Sequence, residues 1–405
     1  MKYLIIFNSK YWDRSVEALF KELKEKTNIN ITSLRMPEDF RKLIHSEKNI
    51  SYGAIILAGD FTSWPNNKID NFEISEYLKM FFLQSKTPRV WVLISDLHHH
   101  IDDLLNGRKT SDISLTTSYL SEEFESKKYF DMLAWPYEYI EDVSNKFDLT
   151  TEIFAEDRQL HLNKLAVALT THSKLISAFP NRMDFYHCVS LSEFNLVPKI
   201  FSRFKLMKFF VPGRRYPTRS QIELQLVNLK LINSYQKFFY SLIEVLTNKS
   251  ILLMSRVFAS DDKIKGFKNS IRFFKHVFFI SIGKFIWVDG SYANYPVRKF
   301  FEIPLCNSLT VTLPNRFLDA LGFKNGINCF IVDLENQTLD QFGFYRLDFR
   351  RYILMKNLAK EIVLANHQPA NRINQLLFFI DNYRCHSITR GFFDNNTFVI
   401  SNSIK

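Results

Sequence analysis

Between Phe209 and Ser220 the chain reads FFVPGRRYPTRS, an apolar stretch followed by Gly213 and then by Arg214, Arg215 and Arg219. Guanidinium groups stay charged at physiological pH and hold phosphate oxygens through paired hydrogen bonds. A glycine lets backbone approach such a ligand closely, and a helix opening near Ser220 presents its positive end. The segment is a candidate phosphate site, with a solvated basic turn as the plainer alternative. A second candidate follows Asp289. The turn Asp289-Gly290-Ser291 leads through Asn294 to Arg298, Lys299 and then Glu302, which sits in an apolar run of Phe and Ile. A solitary carboxylate in such a run is costly to bury without hydrogen-bond partners. Two partners are open: the hydroxyls of a ligand diol such as a ribose, or Arg298 one helical turn earlier. The third candidate is Ser95-Asp96-Leu97-His98-His99-His100. Imidazole titrates near neutrality and can take a proton from a hydroxyl. Consecutive histidines also raise a metal site, but their side chains diverge and no carboxylate-rich partner segment is visible, so no metal is expected. A surface turn is the remaining reading.

These residues need elements to position them, and the first two hundred residues show alternating strands and helices. Lys2–Asn8, Tyr52–Leu57 and Val90–Ile94 are short apolar runs, as strands covered on both faces should be. Arg14–Lys26 carries Val16, Leu19, Phe20 and Leu23 at helical spacing. Strand, helix and strand at this spacing argue for a parallel sheet, and Cys188–Leu191 continues the theme. A second α/β unit opens with a strand at Lys208–Val211. Further strands are expected at Ser250–Met254, Phe278–Ile282, Phe285–Val288, Leu309–Leu313 and Cys329–Val332, with helices at Ser220–Lys230 and Tyr235–Leu246 between them. Asp261-Asp262, followed by lysines, reads as a solvated helix start. Asp348 to about Tyr383 is helical in pattern, and the remaining tail is polar and ill-defined. The expectation is two domains, 1–200 and 201–405.

The composition fits a globular protein, with 46% hydrophobic and 23% charged residues. No run reaches the roughly 18 apolar residues of a membrane span, and MKYLIIFNSK reads as a first strand rather than a secretion signal. Cys188, Cys306, Cys329 and Cys385 never come close enough in sequence for a CxxC pair, which fits a reducing cytoplasm. Charge is uneven. Residues 1–200 carry 24 Lys and Arg against 28 Asp and Glu, whereas 201–405 carry 29 against 14. The second half therefore meets something anionic: a phosphorylated small molecule, nucleic acid or an acidic membrane face. Lys205, Lys208, Arg272 and Lys275, interleaved with Phe, read either as a membrane- or acceptor-facing patch or as ordinary snorkelling around core phenylalanines.

Residues 208–335 resemble the nucleotide-binding half of GT-B glycosyltransferases, in particular the CgeB-like group within the family-1/family-4 superfamily. The group's V-G-R-x-x-P-x-K is similar to Val211-Pro212-Gly213-Arg214-Arg215-Tyr216-Pro217-Thr218-Arg219, with one residue inserted and Arg in place of Lys. Its K-x-F-E-x-x-A-x-G is similar to Lys299 through Asn307, and its following loop and strand resemble Leu321 through Cys329. A D-x-H in the group's first domain falls on Asp96 and His98, and an H-x(4)-R element on His367 and Arg372. The resemblance covers the second half through motifs and the first half through architecture alone. It implies two Rossmann-like domains facing each other across a cleft, with Arg214 and Arg219 on the donor diphosphate and Glu302 on the donor ribose. Lys299, Gly213 and Arg215 join them as donor contacts, with Ser291 and Asn294 from the loop ahead of Lys299. Retaining members carry a glutamate eight residues before the ribose glutamate, where this chain has Asn294.

The expected function is transfer of a sugar from a nucleotide-sugar donor to a saccharide or lipid-linked saccharide, in surface polysaccharide synthesis such as O-antigen or capsule. Asp96 and His98 would serve the acceptor, and Arg214 and Arg219 the leaving diphosphate. Retention and metal independence are inherited from the resemblance, with no cofactor beyond the donor itself. The expected location is the cytoplasm, with peripheral contact at the inner membrane compatible with the basic, Phe-rich second half. Alternatives are transfer of an acidic sugar (Kdo or sialic acid) from a CMP donor with Asp289 as a carboxylate nucleophile, a basic nucleic-acid-binding protein, and an inactive scaffold of the same fold. Nucleic acid is not the expected partner, because no recognition helix or RNA platform is visible.

Overall fold

The structure is a computed structural model of the 405-residue chain. It describes residues 3–8, 22, 29–34, 54–58, 89–93, 113–116, 182–184, 186–195, 205–212, 217–257, 261–288, 296–315, 317–333, 347–386, 388 and 390–402. The chain forms two units, one of Met1–Cys188 with Ser291–Tyr295 and Pro369–Lys405, the other of Val189–Gly290 with Pro296–Gln368.

In the first unit, β1 (Tyr3–Asn8) lies between β2 (Ile29–Leu34) and β3 (Ala54–Ala58). It pairs in parallel with both, Ile5 standing opposite Ile31 and Ile56. β4 (Arg89–Leu93), β5 (Ile113–Thr116) and β6 (Arg182–Asp184) extend the sheet in parallel beyond β3. The order β2-β1-β3-β4-β5-β6 changes direction between β1 and β3, as in doubly wound α/β sheets. The apolar runs read as strands correspond to β1, β3 and β4. β2, β5 and β6 were not anticipated, because INITSL, ISLT and RMD mix polar and apolar residues with no continuous run. The helix expected over Arg14–Lys26 lies outside the described residues except Glu22, which is helical.

The second unit carries a four-stranded sheet in which β7 (Met207–Phe210), β8 (Gly283–Trp287), β9 (Leu309–Thr312) and β10 (Phe330–Ile331) follow one another in space, all parallel. Between β7 and β8 run α1 (Pro217–Asn228), α2 (Ser234–Val257) and α3 (Asp261–Ile282). α4 (Lys299–Leu305) precedes β9, α5 (Phe317–Ala320) precedes β10, and α6 (Phe349–Asn366) follows it. Pro217 opens α1, where its missing N–H costs nothing and its fixed φ already suits a helix. One sheet face packs Phe209, Phe285, Trp287, Leu309 and Val311 against Ile222 and Leu226 of α1 and Tyr352 and Met355 of α6. A smaller cluster joins Met207 to Phe279 and Ile282 of α3, with Phe239 and Ile243 of α2 packed on it.

Two strands expected here are helical. Ser250–Met254 continues α2, and Phe278–Ile282 completes α3. A short apolar run carries no period that separates strand from buried helix, and the helical pattern upstream in each case simply continues. α3 passes into β8 without a loop, at Gly283, where a Cβ would lie 2.5 Å from Ile286 Cδ1.

The amino-terminal edge of this sheet closes around Lys205. Its Nζ donates to Ser281 O at 2.6 Å and to Ser308 Oγ at 3.0 Å, and lies 3.5 Å from Cys306 O. Ser308 Oγ is 2.6 Å from Ile280 O and 2.8 Å from Gly283 O, to one of which its hydroxyl donates. The lysine thus supplies protons to carbonyls that the ends of α3 and α4 leave unpaired.

From Pro369 the chain returns to the first unit. α7 (Pro369–His386) leads to β11 (Arg390–Asp394), parallel to β6, and to β12 (Thr397–Ser401), antiparallel to β11. The hairpin turns on Asn395 and Asn396 at φ 44° and 65°, a region asparagine tolerates better than most residues. The tail read as polar and ill-defined therefore holds two strands, and β11 and β12 extend the first sheet beyond β6. The boundary read near residue 200 compares with 188/189 here. Arg372 is fully buried in this unit, donating from Nε to Tyr186 O at 3.1 Å and from Nη1 to Gln375 Oε1 at 2.9 Å, its guanidinium 4.9 Å from the Phe393 ring centre. The α/β class expected from sequence is what the structure shows, two units each built on a largely parallel sheet.

Burial, with Lys356 adding repulsion, lowers the Lys205 pKa from 10.5 to about 7. The unfolded chain then holds a proton that the folded chain lacks between about pH 7 and 10.5, so this residue makes stability rise with pH across that window. Thermal unfolding of Lys205→Met should show a flatter rise between pH 7 and 10 than the unaltered protein. Parallel curves would remove the assignment.

Candidate functional site

All four strands of the second sheet run the same way, so Pro212, Val288, Leu313 and Val332 leave it at one edge. Backbone bonds from Val288 N to Val311 O (2.9 Å) and from Val332 N to Thr312 O (2.8 Å) carry the ladder to that edge. In parallel α/β sheets the carboxyl edge is where the loops that bind ligands are presented. α4 lies against it. Phe300, Phe301, Ile303 and Leu305 are buried, and the helix ends at Leu305 with Asn307 at φ 56°.

Lys299, the first residue of α4, reaches across this edge. Its Nζ is 3.5 Å from Pro212 O, next to the first residue of the glycine–arginine segment. Glu302, one turn later, is 4% exposed. Its Oε2 is 2.8 Å from His276 Nε2 of α3, and its Oε1 is 3.4 Å from Arg298 Nη1. Arg298 Nη2 in turn donates to Glu193 Oε2 at 2.6 Å. Glu193 ends this chain of charges in the 3-10 turn Leu191–Phe194, where its Oε1 accepts from Ser190 N at 3.0 Å in a capping box. Burial works to raise the Glu302 pKa, but His276, Arg298 and Lys299 outweigh it and bring it from 4.5 down to about 2. The carboxylate is an acceptor only, charged throughout the physiological range.

Of the residues singled out in the sequence, the structure brings Lys299 to the outlet of β7 and places Glu302 on the same short helix, with the Arg298 pair formed. Arg219 lies in the first turn of α1. Gly213, Arg214, Arg215, Ser291 and Asn294 lie outside the described residues, as do Asp96 and His98, which follow β4 by a few residues. His367 is buried in the second unit, with Nε2 3.0 Å from Leu321 O and its ring 4.8 Å from that of Phe301. Arg372 belongs to the first unit. His276 and Glu193 were not anticipated as partners of this site. Glu193 carries a signal, the S-x-x-E of Ser190–Glu193. His276, set among phenylalanines on α3, carries none. Among the described residues no three His, Cys, Asp or Glu side chains converge as metal ligands.

No protein-family model and no curated protein matches the chain. Among solved structures it is similar to HepE of Anabaena in complex with UDP-glucose, at a TM-score of 0.47 and 10% identity, over 94% of this chain and 100% of that one. It is similar to the same protein in complex with UDP and glucose at 0.46 and 10%, over 94% and 99%. A glycosyltransferase from Rickettsia africae ESF-5 aligns at 0.40 and 11%, over 95% and 99%.

The depressed pKa of Glu302 gives a sign to its contribution. Its stabilisation is complete above about pH 4.5 and is lost as pH falls toward about 2. Glu302→Gln should be less stable than the unaltered protein at pH 7, with the difference narrowing on acidification through that window in thermal melts. A difference independent of pH would mean that the charge contributes nothing.

Proposed function

We propose that the chain is a glycosyltransferase of GT-B organisation that takes a nucleotide-sugar donor on its second unit and a saccharide or lipid-linked saccharide acceptor on its first. The observation that carries this reading is the contact of Lys299 Nζ with Pro212 O, with the anionic Glu302 one turn further on. An ammonium group thereby stands at the edge from which the Gly213–Arg219 segment departs, and one helical turn behind it lies Glu302, buried against His276 and Arg298. In this reading Arg214, Arg215, Arg219 and Lys299 neutralise the donor diphosphate, and Glu302 accepts from the ribose hydroxyls. Gly213 lets the backbone approach the phosphates, and Ser291 and Asn294 border the sugar.

The transfer breaks the bond from the anomeric carbon to the diphosphate oxygen and forms one to an acceptor hydroxyl oxygen. His98, held by Asp96, receives the acceptor's proton. The electron pair leaves with the nucleoside diphosphate, whose charge the arginines and Lys299 stabilise without a metal. Alignment of the acceptor oxygen supplies the remainder. We place the protein in the cytoplasm, acting in surface polysaccharide synthesis, with retention as the stereochemical outcome and no nucleic-acid partner.

Calorimetric titration tests the reading, with UDP-glucose, the ligand named for the Anabaena protein, as the first donor. Binding should fall by roughly tenfold or more in Arg219→Ala and Lys299→Ala, the scale of one charge-assisted contact. Saturable binding of CMP but of no nucleoside diphosphate would overturn the donor class. Unchanged binding in both folded variants would overturn the site.

A further inference from the structure

α2 has two apolar sides. One, with Phe239 and Ile243, packs on the Met207–Phe279–Ile282 cluster. The other faces solvent. Tyr235, Phe238, Leu242, Val245, Leu246, Leu252 and Leu253 are between 43% and 72% exposed. Five of them, with Lys249, recur at positions 235, 238, 242, 245, 249 and 252, the three-and-four spacing of one continuous stripe. At about 1.5 Å per residue the stripe is roughly 25 Å long. Scattered surface leucines need no explanation, but a row of this length does. With Ser250–Met254 read as a buried strand, Leu252 and Leu253 belonged to a core. On the helix they extend the exposed stripe by a further turn.

Charge selects among possible occupants. α2 and α3 together carry eight Lys and Arg against three Asp and Glu, a net +5. Glu244, the one acidic residue of α2, is bonded to Lys275 of α3. Lys249 within the stripe and Arg272 on α3 are exposed. A second copy laid along the stripe would bring two such hairpins together, like charge against like. An anionic bilayer complements both features, accepting the apolar side chains at the level of its acyl boundary and the lysines and arginines among its headgroups. Among the described residues no helix is long and apolar enough to cross a membrane. We infer that the outer face of α2, with Lys249 in its stripe and the exposed Arg272 of α3 contributing charge, docks the protein in-plane on an anionic lipid surface. This inference is independent of the proposed activity.

Vesicle co-sedimentation of the full chain tests it, using phosphatidylcholine alone and with about 30 mol% phosphatidylglycerol. The chain should sediment with the anionic vesicles and far less with the neutral ones. Phe238→Ser with Leu242→Ser should weaken that binding by roughly tenfold or more. Lys249→Glu with Arg272→Glu should do the same on anionic vesicles and change nothing on neutral ones. All four positions are exposed, so the melting temperature should stay close to that of the unaltered chain, and circular dichroism confirms folding. Equal sedimentation with both vesicle types, or none with either, overturns the inference. So does a dimer in sedimentation velocity that the Phe238→Ser/Leu242→Ser variant dissociates, since the stripe would then be occupied by a second copy. Nucleotide binding, measured separately, is indifferent to these outcomes.

Discussion

The second unit is organised around a carboxylate that must stay charged while almost wholly buried. Taking Glu302 out of water costs several kcal/mol, and such a charge persists only when it is paired and hydrogen-bonded. His276 answers from α3, Arg298 from the turn ahead of α4, and Glu193 balances Arg298 from the 3-10 turn. Each partner comes from a different segment, so the network closes only when α3, α4 and the start of the unit are in place together. Charges arranged this way report whether the fold is correct, because any misplacement leaves one of them buried and unpaired.

The two edges of the small sheet solve opposite electrostatic problems. At the amino edge, backbone carbonyls converge where α3 and α4 end, and Lys205 sits among them with its charge suppressed by burial. That lysine is a hydrogen-bond donor placed for structure. At the carboxyl edge Lys299 lies where the sheet opens toward the arginine segment, on the same helix as a carboxylate held ionised. Lysines of similar sequence context thus have different duties, decided by which end of a parallel strand they stand at. The proposed donor site depends on this polarity.

Tyr352 shows how tightly the small sheet is tied down at its amino edge. Its ring packs against Phe285, with Lys284 Nζ 4.8 Å and Lys356 Nζ 5.9 Å from its centre. Its hydroxyl lies 3.4 Å from Lys284 O and 3.3 Å from Asn307 O. α6 is thereby fastened to β8 and to the end of α4 at one residue. A helix held so closely gives α4 a fixed seat, which a site built on its first two turns requires.

The chain alone determined the α/β class, because KYLIIFN, AIILA and VWVLI are too uniformly apolar for strands with a wet face and alternate with helical stretches. It also marked Glu302 as a carboxylate in need of partners and named Arg298 as one, since a spacing of four is local and needs no tertiary information. His276 required the fold: α3 and α4 meet only after the sheet forms, and nothing in a run of phenylalanines signals a partner 26 residues away. The same holds for SILLM and for the tail. Apolar content states that a segment leaves water or meets a surface, whereas only packing decides whether it does so as strand or helix, inside or out. Residues 390–401 hold only two short apolar runs, Phe392-Phe393 and Phe398–Ile400, and become strands because β6 offers an open edge to β11 and β12 pairs with it. Pattern along the chain reaches the class of fold and pairs within one helical turn, and which distant side chains become partners was decided by what the tertiary structure brought alongside.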